Sequence, residues 1–273
     1  MAAAAVGLTG TAAQAQIFQD NVIGYRYGTK FEEPGLSPVK GADVTKSILN
    51  YTHVDGYKWG SNFLSVDLLI SDDTDPSVSG KGAQEVYIVY RHGLSYGKIT
   101  GNKFKLGPIV DVGLNLGGDF NTKNTEFGSA KKLAVAGVYL AWGLPKGFLT
   151  TSFNYCQEWN QNGITNVSVH FDPNFCFEAA WAVPFQIGPA NFKFTGFLNV
   201  VAPKGEDGFG AKTKTEVLTR PELLLDVGAF WGKPNFIEAG VGYEYWLNKF
   251  GNDHKNDSGA LAHTPMAIAK MHF

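Results

Sequence analysis

Charged side chains recur at alternate positions inside otherwise apolar runs. In EVYIVYRH, Glu85, Tyr87 and Arg91 point one way while Val86, Ile88 and Tyr90 point the other. In FLSVDLLI, Ser65 and Asp67 oppose Leu64, Val66, Leu68 and Ile70. In NFCFEAAWAV, Asn174, Cys176 and Glu178 oppose Phe175, Phe177, Ala179, Trp181 and Val183. A period of two separates a polar from an apolar face of a sheet. Carried through the chain, this alternation collects Asp67, Glu85, Asp111, Glu178, Glu222, Asp226, Glu238 and Glu244 with Arg26, Arg91, Lys193 and Lys270, and the aromatics Phe197, Phe230 and Trp246, as candidates for one inward face. An Arg or Lys facing lipid at mid-membrane costs roughly 2–4 kcal/mol, so such charges must line water or pair with one another. One reading is a mutually compensated, solvated interior network. The other is a string of contacts for a small solute. Ribose hydroxyls need hydrogen bonds and a base needs a π face, so carboxylates beside aromatics suit a nucleoside, and a sugar equally. The acidic excess favours cations over anions.

Other chemistry is thinly represented. Cys156 and Cys176 lie on consecutive expected strands, equidistant from the centre of the connector at 159–173. A symmetric hairpin sets them opposite each other at roughly 4.5–5.5 Å between Cα atoms, which a disulfide can span. The alternative is two inward thiols out of register by one pair. Neither has a neighbouring Cys or His at metal-ligand spacing, and neither a metal nor a cofactor is expected. The histidines are His53, His92, His170, His254, His263 and His272, without a G-x-S-x-G or H-E-x-x-H motif. His92 with Ser95 is the nearest approach to a Ser–His pair, as an interfacial lipid hydrolase would need, yet its register turns His92 toward lipid. SDDTDP at 71–76 lacks the glycine and closing glutamate of a calcium loop.

These side chains require a frame of about twelve strands, expected at 18–27, 48–58, 62–70, 85–94, 104–116, 131–142, 148–158, 174–184, 190–201, 221–231, 236–248 and 264–273. The faces of 48–58 and 131–142 depend on one residue of register. Tight Gly/Pro turns at 59–62, 143–147, 184–189 and 232–235 and the somewhat longer 95–103 alternate with long polar connectors at 28–47, 71–84, 117–130, 159–173, 202–220 and 249–263. Alternating long and short connections put every long loop at one end, the plan of an outer-membrane barrel with short periplasmic turns and long external loops. The fold class expected is therefore all-β: a transmembrane antiparallel β-barrel spanning 16–273 as a single domain.

Composition agrees. Among 273 residues, 23 Lys and Arg nearly balance 25 Asp and Glu, which leaves no nucleic-acid footprint. Only 18% of residues are charged, 14% are aromatic and 33 are glycine, and no apolar run reaches a membrane-spanning helix. Residues 1–15, with Ala13-Gln14-Ala15 before Gln16, read as a signal peptide without its basic start, or as a flexible Ala-rich leader. Phe273 closes an alternating strand, MAIAKMHF, as an interfacial aromatic, and Trp59, Trp142, Trp181 and Trp231 are expected in an aromatic girdle near the short turns.

GLPKGFLTTSFNYCQEWNQNG at 143–163, with its Leu-Pro, Asn154, Tyr155 and Trp159, and FCFEAAWAVPF at 175–185, ending in a Val-Pro-aromatic turn, resemble the Tsx-like family of nucleoside-specific outer-membrane channels. NFLSVDLL and the terminal aromatic fit the same picture. The resemblance implies a twelve-stranded monomeric barrel that passes nucleosides passively, with small solutes and outer-membrane lipid as its partners. Two other classes share parts of this pattern: an outer-membrane barrel enzyme acting on lipids, and a soluble exported ligand-binding β protein.

Overall fold

The computed structural model describes residues 17–36 and 43–273; the expected leader at 1–15 lies outside them. Strand segments β1 (Phe18–Phe31), β2 (Val44–Tyr57), β3 (Gly60–Ser71), β4 (Gln84–Ser95), β5 (Ile109–Lys123), β6 (Lys132–Trp142), β7 (Phe148–Asn162), β8 (Val167–His170), β9 (Asn174–Ile187), β10 (Ala190–Val201), β11 (Glu216–Thr219), β12 (Glu222–Asp226), β13 (Ile237–Leu247) and β14 (Leu261–His272) form one antiparallel sheet. β1 pairs with both β2 and β14, which closes the sheet on itself and leaves no edge. β8 only folds back on the outer end of β7, and β11 with β12 make one broken stave, so twelve staves form the wall.

Alternation decides which face is which. Tyr25, Leu49, Leu114, Phe153, Phe175 and Val241 are exposed on the outside, whereas Arg26, Asn50, Asn115, Asn154 and Glu244 are buried within. The two ambiguous registers resolve: Ile48 and Asn50 turn in while Leu49 and Tyr51 turn out, and Val135 turns in while Val138 turns out. The long connectors gather at one end and the short turns at the other, as the alternation requires.

Two expected strands are corrected. The segment expected at 104–116 begins instead at Ile109 and continues to Lys123. Pro108 has no N–H to donate to a ladder, and the preceding stretch is a short helix at Tyr96–Thr100, capped by Ser95 and closed by a left-handed Gly101. The segment expected at 221–231 ends at Asp226, because the Asp226 carboxylate accepts the backbone N–H groups of Ala229 at 3.1 Å and Asn235 at 2.9 Å and draws the chain into a 3-10 turn. The same stave breaks at Arg220-Pro221. Opposite the break stands Gly196, where a Cβ would lie 2.5 Å from the Arg220 carbonyl oxygen.

Side chains fill the interior, as in other small barrels. Phe31, Val44, Ile48, Leu224, Met266 and Ile268 make an apolar cluster on the inward face, which explains Ile268 as the apolar residue on the charged face of β14. The cysteines are bonded, although not directly opposite: Cys176 pairs with Asn154 and Cys156 with Asn174, so the bond is diagonal, with Cα atoms 6.1 Å apart.

Candidate functional site

The inward faces stack into three charged layers. Nearest the short turns, Lys193 and Lys270 pair with Glu238 and Glu222, and His272 bridges Asp20 at 2.9 Å and Glu238 at 3.2 Å. Asp111 accepts from the Ser95 hydroxyl, the Gly97 N–H and Tyr139.

In the middle layer, Arg91 donates through Nε to both oxygens of Glu178 at 3.1 Å and through Nη1 to Asp119 at 2.7 Å. Asn115 and Asn154 extend this group toward Glu178. Arg26 and Asn50 both donate to Asp67. Arg220 binds Glu244 at 2.7 Å, and its guanidinium lies 5.3 Å over the ring of Phe197.

At the outer mouth the connectors fold inward. Glu33, in the connector after β1, accepts from Lys46 of β2, from Lys249 at 2.9 Å and from Lys123 of β5 at 3.2 Å. Asp75, in the connector after β3, accepts from Lys123 at 2.8 Å and from Ser71. Lys204 and Lys131 flank Glu158, and Lys131 also reaches the Tyr87 hydroxyl at 3.1 Å. Glu85 accepts from Asn121. Trp246 donates to Glu216 and carries the Lys249 ammonium 4.5 Å above its ring. Burial alone would push the Glu33 carboxyl up; Lys249, Lys46 and Lys123 outweigh that and hold it well below the usual carboxylate range.

Lys46 and Lys249 beside Glu33 are almost dry. Side-chain exposure is 25% at Lys193 and 18% at Glu178, but 2% at Lys46 and 3% at Lys249.

Of the residues expected on the inward face, Arg26, Asp67, Glu85, Arg91, Asp111, Glu178, Phe197, Asp226, Glu238, Glu244 and Trp246 all turn inward. Phe230 does not: it sits in the 3-10 turn and is 60% exposed. Asp226 spends its carboxylate on that turn. Glu33, Asp75, Lys123, Lys131, Lys249 and Arg220 were not foreseen. Extending the odd-numbered face of Asp111 through Asn115 would have reached Asp119, Asn121 and Lys123.

The outside carries a second polar system near the short turns. Tyr51 and His53 bond to Asn21, His53 and Asn62 to Asp55, Tyr90 and His92 to Asn62, and Tyr57 to His92. His92 thus faces outward while Ser95 turns to Asp111, and no Ser–His pair forms. Trp59, Trp231 and Phe273 are exposed at the same rim.

No family model matches the chain, and no curated protein matches it. Solved structures do. The NanC porin is similar over 93% of this chain and 98% of its own, at 14% identity and a TM-score of 0.45. The translocator domain of the autotransporter NalP from Neisseria meningitidis is similar over 93% and 88%, at 11% identity and 0.47. Salmonella typhi OmpF, in complex with daunomycin, is similar over 94% and 100%, at 7% identity and 0.37. At these identities and scores, none passes its cargo or its chemistry to this chain. The barrel's own construction is decisive: a closed antiparallel wall, an apolar exterior with an aromatic rim, a charged interior, and short turns at one end only. This is a protein of the bacterial outer membrane.

Proposed function

We propose that the barrel is a passive channel for small hydrophilic solutes and that nucleosides are the class it takes. The observation that carries the reading is Phe197 in the middle layer. Its ring turns inward among Arg220, Glu244 and Asp67, with a guanidinium rather than an apolar side chain resting on it. A planar base can take the place of the guanidinium on the ring, and the carboxylates nearby can accept from ribose hydroxyls. The resemblance of 143–163 and 175–185 to nucleoside channels supports the same class. Passage requires the Glu33 layer to part.

Two other classes fit the geometry less well. A lipid hydrolase of the kind considered for His92 needs a nucleophile beside it, and Ser95 is committed elsewhere. A soluble binding protein would not present Phe175 and Phe153 bare on a closed wall.

The test is single-channel conductance in a planar bilayer with adenosine and then glucose added stepwise. Adenosine should lower conductance at concentrations where glucose does nothing, and Phe197→Ala should remove that difference. Open channels indifferent to both solutes would discard the nucleoside and keep the channel; no conductance from a heat-modifiable barrel would discard the channel.

A further inference from the structure

The outer mouth is closed by a carboxylate that belongs to the wall only through the connector carrying it. Glu33 follows β1, yet its head group is driven into the lumen, where it gathers ammonium groups from β2, from β5 and from the connector after β13. These three lysines differ in what else holds them. Lys46 and Lys123 share Asp75, at 3.8 and 2.8 Å. Lys249 bonds to the Glu33 carboxylate and to the Glu32 carbonyl oxygen at 2.8 Å, both on the same short segment. If that segment withdraws, Lys249 loses both partners together and is left above the Trp246 and Phe250 rings. Lys46 and Lys123 then keep Asp75, with Glu85 and Glu244 the next carboxylates out, and Lys249 keeps no hydrogen-bonded carboxylate.

We propose that Lys46, Lys123 and Lys249 form a binding station for the carboxylate of an anionic solute, and that Glu33 is its tethered stand-in, displaced when that solute arrives. The site is already built. Its cations come from three separate elements, they are almost wholly buried, and they hold a carboxylate now, with contacts to both oxygens. Lys249 rests 4.5 Å over Trp246 and Lys46 lies 5.7 Å from the Phe31 ring, so aromatic rings seat two of the three ammonium groups. Exchange of one carboxylate for another leaves the lysines neutralised throughout, so the mouth can open without stranding buried charge. The proposal rests on the channel reading only for its purpose; binding can be measured without transport.

The experiment is calorimetric titration of the detergent-folded full chain with benzoate, and with benzamide as its uncharged counterpart, on the native protein and on Glu33→Gln. Removing the tethered competitor should tighten benzoate binding at least tenfold, leave benzamide without measurable binding in either protein, and lose the gain when Lys249→Met is added. Benzoate binding that is no tighter in a heat-modifiable Glu33→Gln barrel overturns the proposal, and so does equal binding of benzamide. Should Glu33→Gln fail to fold, Lys249→Met alone must weaken the native benzoate affinity at least fivefold; an unchanged affinity overturns the proposal by that route. A barrel that binds benzoate as expected but never conducts would count against the channel and leave the station standing.

Discussion

Arg91 on β4 and Glu178 on β9 meet inside the barrel, although β5, β6 and β7 stand between them around the wall. The bond is therefore a strut across the lumen rather than a rung of the sheet. Arg91→Ala would leave Glu178 and Asp119 without their shared cation. Breaking a buried pair on one side costs about 3–5 kcal/mol, and partial hydration of Glu178 lowers that to about 2 kcal/mol here. The expected outcome is a lower temperature for loss of the heat-modifiable band and a reversal potential shifted toward cations in a salt gradient. Arg91→Lys should restore most of the selectivity and little of the stability, since an ammonium cannot grip both carboxylates in the plane of a guanidinium.

The Glu33 layer sets the acid response of the mouth. The folded carboxyl titrates well below its unfolded value of about 4.3, because three lysines outweigh the burial. Its contribution is therefore complete above the ordinary carboxylate range and is lost as the pH falls through the lowered value. Single-channel conductance should stay flat from pH 7 to about pH 5 and rise only at markedly more acid pH. A midpoint near pH 6 would assign the response to another group.

The disulfide joins β7 to β9 diagonally and closes a separation of 20 residues. Cys156→Ser with Cys176→Ser should lower stability by about 3 kcal/mol, read as an earlier thermal loss of the folded band. Reductant should reproduce the effect in the native protein and do nothing further to the double variant.

Much of this architecture was legible in residues with a simple period. Val86, Ile88 and Tyr90 against Glu85 and Arg91 leave no choice of face once a sheet is granted, and the spacing of the Gly/Pro turns sorts the strands by direction. What escaped had a tertiary cause. Gly117 and Gly118 look like a connector but remain paired, because Arg91 and Tyr90 on one flanking strand and Val135 and Ala134 on the other supply their ladder partners. Phe230 looks like the end of a strand until the Asp226 carboxylate bends the chain. Glu33 sits in a polar connector that reads as solvated; only lysines distant in sequence bury it. The cysteines fall on the expected strands with a different offset, since β7 runs on to Asn162 and the chain turns at 163–166, short of the centre of 159–173.

The exterior offers an independent check. Leu114 is half exposed on the outer face, mid-strand, beside the inward Asn115. Leu114→Arg should destabilise the barrel by about 2–4 kcal/mol in a bilayer, and distinctly less in a detergent that can yield around the charge. Equal cost in both media would contradict a lipid-facing position.

Ion pairs that join distant staves also constrain how the protein is made. On a flat sheet, Arg91 is remote from Glu178, and Glu33 from Lys123 and Lys249; only the neighbours Asp119 and Lys46 are at hand, and the partners across the lumen arrive as the wall closes. Seam closure thus completes the neutralisation of the interior. An unclosed intermediate holds its charges apart and open to water, which keeps it from burying itself in lipid prematurely. Assembly carries its own proofreading: a wall that closes out of register mispairs its struts and is left with naked charge inside.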